Sequence, residues 1–263
     1  DHEGKIRDLS SHIPDINGDS INSESLKKIG AINLSTLPIV SNDTRLGACV
    51  GNVGKFLCIG LNYSDHAAES GLPVPSEPIL FSKATSAIVG PNDNVEIPRN
   101  SSETDWEVEL GIIIGKKAKY INENEAEEYI AGYCVVNDVS ERAFQIKREG
   151  QWTKGKSCDT FGPTGPYLVT KDEIPDVQNL KMYLDVNGKR MQDGSTNTMI
   201  FSAKHIVYYL SQFMSLNPGD VIATGTPPGV GLGMKPPVFL NAGDTMKLGI
   251  EGLGEQNQIC IQG

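Results

Sequence analysis

No basic excess marks this chain. Its 263 residues carry 23 Lys and Arg against 33 Asp and Glu, a formal net charge of −10. Nucleic-acid binding wants a basic patch or stripe, and a polybasic membrane anchor wants clustered lysines and arginines; the acidic balance argues against both. No apolar run approaches the ~20 residues of a membrane span. The five cysteines, at 49, 58, 134, 158 and 260, are scattered, odd in number and without CxxC spacing. They indicate neither a disulfide framework nor a zinc knuckle, and a reducing cytoplasm is the expected location. Internal repeats and low-complexity tracts are absent too. The length suits one large domain with a sizeable core and a small appendage. The chain opens at Asp1 without a methionine, so residues upstream of it are expected.

What is present divides near residue 54. Residues 1–54 are polar and punctuated, with one helix expected around Ser23–Ile29, and read as a small N-terminal subdomain or arm. From residue 55 to 263, short branched or aromatic runs recur between turn signals: FLCIG, PILFSK, EVELGIIIG, GYCVVND, GPYLVT, LKMYLDV, DVIATG, TMKLGI and QICI. Asn187-Gly188 is a two-residue hairpin signal, and Gly219-Asp220 and Gly243-Asp244 each launch a strand. Helices are expected at Asn122–Ile130, Ser140–Lys147 and Ala203–Met214, the last with Ile206, Leu210 and Phe213 at core spacing. The pattern predicts an α+β, mostly β domain with a rolled, barrel-like core.

The stretch DWEVELGIII raises a question of charge. It reads as a strand, and alternation puts Glu107 and Glu109 on one face, with Trp106, Val108, Leu110 and Ile112 on the other. Adjacent carboxylates heading into a core resist desolvation unless compensated. Either that strand end is wet, or a cation sits there. Asp138, in VVNDVSER, follows another buried-looking run and ends a second strand. Three carboxylates without His or Cys form a hard, all-oxygen set suited to Mg²⁺, Mn²⁺ or Ca²⁺. An E-x-E on a strand, taken alone, is more often a solvated face.

Other clusters are individually bland. In GLNYSDHAAESGLP, Asn62 or Ser64 can cap a short helix on which His66 and Glu69 are i,i+3 neighbours. That pair reads as a routine surface contact or as an imidazole held in one tautomer for general-base work. Lys83 in FSKAT, Lys156 in TKGKSCD, and Arg142 with Gln145 in SERAFQ are surface lysines or a helix pair when taken singly. TGTPPGVGLG, with Thr226, is a loop in which backbone N–H groups can approach a ligand, but it matches neither Walker A nor the dinucleotide fingerprint.

Together these segments resemble the fumarylacetoacetate hydrolase family from about Phe56 to Ile261. The likeness rests on IGLNYSDHAAE, ILFSKATSAIVGP, DWEVELGIIIG, VVNDVSERAFQ, KGKSCDTFGPTGP, MIFSAKHIV and GDVIATGTPPGVG, in that order. Length is similar to the acylpyruvase-like branch. TKGKSCDTFGPTGPYLVT and LGMKPP look most like its 2,4-diketo-3-deoxy-L-rhamnonate hydrolases. The resemblance implies a mixed β-roll, a homodimer, a small keto-acid substrate, and cleavage of a C–C bond beside a 1,3-dicarbonyl with Mg²⁺ or Mn²⁺. It implies Glu107, Glu109 and Asp138 as metal ligands, and His66 with Glu69 as a water-activating dyad on a lid. Lys156 would stabilise an enolate, while Lys83, Arg142, Gln145 and Thr226 would hold substrate oxygens. Decarboxylation or isomerisation of a related keto acid such as oxaloacetate shares that site and stays open. So does a silent keto-acid-binding protein.

Overall fold

The apolar runs become strands in a computed structural model that describes residues 4–65 and 73–263. In chain order they are β1 (Phe56–Gly60), β2 (Ile79–Lys83), β3 (Ile88–Val89), β4 (Val95–Ile97), β5 (Thr104–Asp105), β6 (Val108–Ile114) and β7 (Ile130–Asn137). Then follow β8 (Ser140–Glu141), β9 (Gly162–Thr170), β10 (Lys181–Val186), β11 (Lys189–Ser195), β12 (Val221–Ala223), β13 (Thr245–Ile250) and β14 (Gly254–Gln262). Seven of them form a mixed sheet in the order β2-β1-β12-β6-β7-β9-β3, and five form a second sheet, β11-β10-β13-β14-β4. A two-stranded ribbon, β5-β8, completes the set. The protein is mostly β, with the large sheet curled into a half-barrel. Among the described residues, no helix is long and apolar enough to cross a membrane.

The large sheet is apolar on both faces. On one side Leu57, Val108, Leu110 and Ile112 pack with Met182, Leu184, Met246 and Leu248 of the second sheet. On the other, Phe56, Cys58, Ile113, Val136 and Val221 are covered by Ile21 and Val50 from the N-terminal segment. The helix expected in that segment is α1 (Ser23–Gly30), capped by the Asn22 side chain on the N–H groups of Glu24 and Ser25. The glutamate face of β6 therefore continues through Gly111 to Ile113 inside a second core.

Turn chemistry sets the register. Asn187 and Gly188 take φ of 50° and 74°, the left-handed pair that a two-residue hairpin needs between β10 and β11. Two helical expectations shift. The stretch from Ser140 begins as β8, paired with β5, so its helix α2 spans only Arg142–Ile146; α3 (Thr153–Lys156) follows. Residues Glu123–Tyr129 form 3₁₀ turns. Helix α4 covers Ala203–Ser211, burying Ile206 and Leu210. Phe213 lies past its end and is 63% exposed, stacked edge-on against Tyr209 rather than in the core. Helical spacing cannot bury a side chain once the helix has stopped.

Candidate active site

Antiparallel pairing of β6 with β7 puts Val108 opposite Asn137. Glu107 and Glu109 flank that position, and Asp138 follows it, tied in place by its N–H donating to the Glu107 carbonyl at 2.9 Å. One carboxylate oxygen from each of the three lies within 4.8 Å of the others. All three are buried. Asp138, 29 residues beyond Glu109 in the sequence, thus converges with the two glutamates at one end of the second core.

Buried acids demand compensation, and here it is uneven. Lys156 donates at 2.7 Å to both Glu107 and Asp138. Lys83 donates to Asp138 and, at 3.0 Å, to the Val139 carbonyl. Arg142 pairs with Asp105 at 2.8 Å and with Glu107 at 2.7 Å, and its Nη1 donates to the Gln145 side-chain oxygen. Burial alone would raise the Glu107 carboxyl, but Lys156 and Arg142 outweigh it and hold the group well below the usual range. Burial would likewise lower Lys156; Asp138 and Glu107 more than reverse it. Glu109 differs. Among the described residues its partner is the Gly225 N–H, at 2.8 Å, and no cation reaches it. Burial, reinforced by Asp138 and Glu107, pushes its carboxyl well up.

That donor set fits a divalent cation. Four buried acids (Asp105, Glu107, Glu109 and Asp138) face three buried cations (Lys83, Arg142 and Lys156), which among the described residues leaves Glu109 without a cation of its own. Three carboxylates with no nitrogen or sulfur suit Mg²⁺, Mn²⁺ or Ca²⁺. Glu107, Glu109 and Asp138 would hold such an ion.

A cavity of about 540 Å³ opens over this floor. Glu107, Glu109, Arg142, Gln145, Lys156 and Thr226 line its polar end. Phe81, Trp152, Ile146 and Leu232 form an apolar wall, with exposed Lys235 at the rim. Lys156 has three N–H groups; two meet carboxylates, and one is left for a bound molecule. Lys83 does not line the cavity, since its ammonium is spent on Asp138 and Val139. The Thr226 hydroxyl donates to the Val108 carbonyl at 2.9 Å and accepts from Gln192 at 2.8 Å, so it has no proton left to donate. His66 and Glu69 lie outside the described residues. The chain leading to them is pinned by Asn62, whose amide donates to the carbonyls of Thr224 at 2.7 Å and Phe201 at 3.0 Å and whose Oδ1 accepts from the Phe201 N–H at 2.8 Å; that oxygen serves Phe201 rather than a helix cap.

Sequence reading assigned no role to Asp105 or Gln192, and to Asn62 only that of a helix cap. The first opens the very stretch that carries the glutamates, so an acid before an aromatic residue was a visible signal. Gln192 comes from a strand of the other sheet whose remaining residues are exposed or half-buried, and no local pattern marks it.

A mostly β roll with a buried acidic triad beneath a half-apolar cavity defines a class of small-molecule enzyme centre. Residues 55–259 match the family described as fumarylacetoacetate (FAA) hydrolase C-terminal, and the chain belongs to that family. A Burkholderia orbicola (strain MC0-3) protein carrying a provisional hydrolase name is 61% identical over 259 residues, covering 98% of this chain and 92% of its own length. The structure of a fumarylacetoacetate hydrolase from Exiguobacterium antarcticum superposes with a TM-score of 0.87 at 36% identity, over 99% of this chain and 93% of that one. A 5-carboxymethyl-2-hydroxymuconate delta-isomerase from Mycobacterium smegmatis gives 0.74 at 35% identity, over 86% and 87%.

Proposed function

We propose that this protein is a divalent-cation-dependent hydrolase that cleaves the C–C bond of a 2,4-diketo acid to pyruvate and a second acid. The observation that carries the reading is Glu109, a buried carboxylate without a cation partner among the described residues, facing the same cavity as the spare N–H of Lys156. The substrate is an acylpyruvate or a sugar-derived analogue such as 2,4-diketo-3-deoxy-L-rhamnonate. A bound Mg²⁺ or Mn²⁺ would act as a Lewis acid that polarises the dicarbonyl.

The chain's own groups supply the rest. His66, oriented by Glu69, takes a proton from water, whose oxygen adds to the distal carbonyl. The bond between that carbon and C3 breaks, its electron pair passing into the pyruvate enolate. Lys156 faces the developing oxyanion; donors of this kind contribute about 3–4 kcal/mol each. The enolate then gains at C3 the proton that His66 took from water. Arg142 and Gln145 orient the acid end, and Thr226 offers its backbone rather than its hydroxyl. Lys83 acts on substrate only through Asp138. We take the working unit to be a homodimer, a reading that molar mass in solution tests.

Isomerisation or decarboxylation is the second reading. It is favoured by the isomerase relatives from Mycobacterium smegmatis and Mycobacterium marinum, the latter named for 2-hydroxyhepta-2,4-diene-1,7-dioate. A product assay separates hydrolysis from decarboxylation. The Mg²⁺- or Mn²⁺-loaded protein is incubated with acetylpyruvate, the 3-deoxyrhamnonate-derived diketo acid and oxaloacetate, and pyruvate and CO₂ are quantified. Stoichiometric pyruvate without CO₂ from a diketo acid is expected. CO₂ from oxaloacetate with inert diketo acids would transfer the assignment to decarboxylation.

A further inference from the structure

Asp105 is completely buried yet lines no part of the cavity. Its carboxylate is saturated. Oδ1 accepts from the N–H groups of Trp106 at 2.8 Å and Gly231 at 2.7 Å. Oδ2 accepts from the Leu232 N–H at 3.0 Å and from Arg142, whose Nε lies at 2.9 Å. The adjacent Trp106 indole donates to the Gly229 carbonyl at 3.1 Å. Two consecutive residues thus take hold of the loop at 229–232, and one of them also holds Arg142.

The topology explains how. Asp105 lies opposite Ser140 in the β5-β8 ribbon, two residues ahead of Arg142. Arg142 and Gln145 form one side of the cavity, while Val230, Leu232, Gly233 and Lys235 belong to the loop on its rim. Gly231 has room for nothing larger: an added Cβ would sit 2.0 Å from the Val238 carbonyl oxygen and 2.8 Å from Asp105 Oδ1. A single carboxylate fixes the distance between the guanidinium at the floor and the loop at the mouth.

We propose that Asp105 is a positioning residue that sets substrate affinity by clasping the rim loop to Arg142. It also leaves the guanidinium oriented so that Nη2 meets Glu107 and Nη1 meets Gln145. Releasing the clasp lets Leu232 and Lys235 drift from Arg142, so a bound acid loses its fitted rim while the cation ligands stay in place. The proposal rests on the diketo-acid reading for its kinetic consequence, but its structural half stands without it.

The test compares Asp105→Asn with wild type in three ways. An amide keeps the shape but turns one acceptor into a donor facing N–H groups. KM for the diketo acid that the wild type hydrolyses is expected to rise about tenfold or more, since small misplacements of positioning groups have large effects. The turnover number and the calorimetric affinity for Mg²⁺ stay within about threefold, a split that general loss of structure would not produce. Amide hydrogen exchange at Gly231 and Leu232 accelerates. An unchanged KM, or unchanged exchange at those two amides, overturns the clasp. If Asp105→Asn does not fold, Leu232→Pro against Leu232→Ala replaces it: both lose the leucine side chain, but only the first loses the N–H to Asp105. Proline suits the first turn of a helical segment, and Leu232 is in the 3₁₀ turn Gly231–Gly233. A higher KM in the proline variant is expected, and equal values overturn the proposal. Should the wild type turn over no diketo acid, the function reading fails instead. Exchange at Gly231 and Leu232, with oxalate affinity as the probe of the acid site, then decides the clasp alone.

Discussion

Glu109 is the buried acid of the site that no cation among the described residues pairs with, and its energetics follow from that. Its carboxyl binds a proton more tightly folded than unfolded, because burial and the neighbouring Asp138 and Glu107 disfavour the anion. The sign follows from linkage: the cation-free fold loses stability as pH rises from the ordinary value of 4.5 up through the raised folded value. Glu107 runs the opposite way; Lys156 and Arg142 hold its carboxyl down, so its contribution is present above 4.5 and lost as pH falls. In chelator, Glu109→Gln should therefore melt above wild type at pH 8, by about 2–4 °C per kcal/mol relieved, with the gap closing toward pH 4.5. Differential scanning calorimetry across that range checks it, and a gap independent of pH would refute the uncompensated charge. The same variant should bind Mg²⁺ at least about tenfold more weakly, as expected when a ligand of an all-oxygen site is lost. His66→Ala has another signature: turnover should vanish while Mg²⁺ affinity holds within about twofold, as for loss of a general base alone. Unaltered turnover would dismiss the dyad.

At the scale of elements, β6 and β7 form the platform, and Gly111 shows how tightly it is made. A Cβ at Gly111 would lie 2.7 Å from the Cys134 sulfur and 2.8 Å from a Val136 methyl. Those strands carry or abut all three acids, so crowding them displaces the site. Gly111→Ala should cost about 1–3 kcal/mol and also weaken Mg²⁺ binding. The contrast is Gly188→Ala at the β10-β11 turn, where nothing lies within 4 Å of an added Cβ but φ is +74°. There the cost is conformational, about 1–2 kcal/mol, and Mg²⁺ affinity should be unchanged. Denaturant melts paired with calorimetric titration distinguish the two. Equal effects on the cation would mean that the platform transmits no strain. Both elements were legible in the sequence, the strands from branched runs and the turn from Asn-Gly. The short β8 was not, because Ser140 and Glu141 pair with Asp105 and Thr104 of β5, remote in sequence, and a helical pattern begins right behind them.

At the scale of the molecule, the two sheets meet through a polar bridge as well as an apolar core. Gln192 of the second sheet accepts from the Val108 N–H at 2.9 Å and donates to Thr226 and to the Pro227 carbonyl, both at 2.8 Å. One sheet thus braces the site carried by the other. The N-terminal segment has a comparable role at the opposite face, where Ile21 and Val50 cover the core behind the acids. We propose that residues 1–54 form a cover on the catalytic domain of residues 55–263 rather than a free arm. Deleting them should remove about 1.5–3 kcal/mol for each of those two side chains and lower the thermal midpoint by roughly 6–24 °C at 2–4 °C per kcal/mol. An unchanged melt would show that the segment is an independent appendage.

Sequence by itself determined the mostly β architecture, the hairpin at Asn187-Gly188 and the three acids. Those features are local: alternation, left-handed turn residues and charge in a branched run are properties of a few consecutive positions. The motifs in order also carried the family. Tertiary structure decided which cation serves which acid. It committed Lys83 inward to Asp138, spent the Thr226 proton on a backbone carbonyl, left Glu109 without a cation among the described residues and joined Asp105 to a loop 126 residues away. Such assignments depend on distances between chain segments remote in sequence, and buried charges are priced by those distances alone.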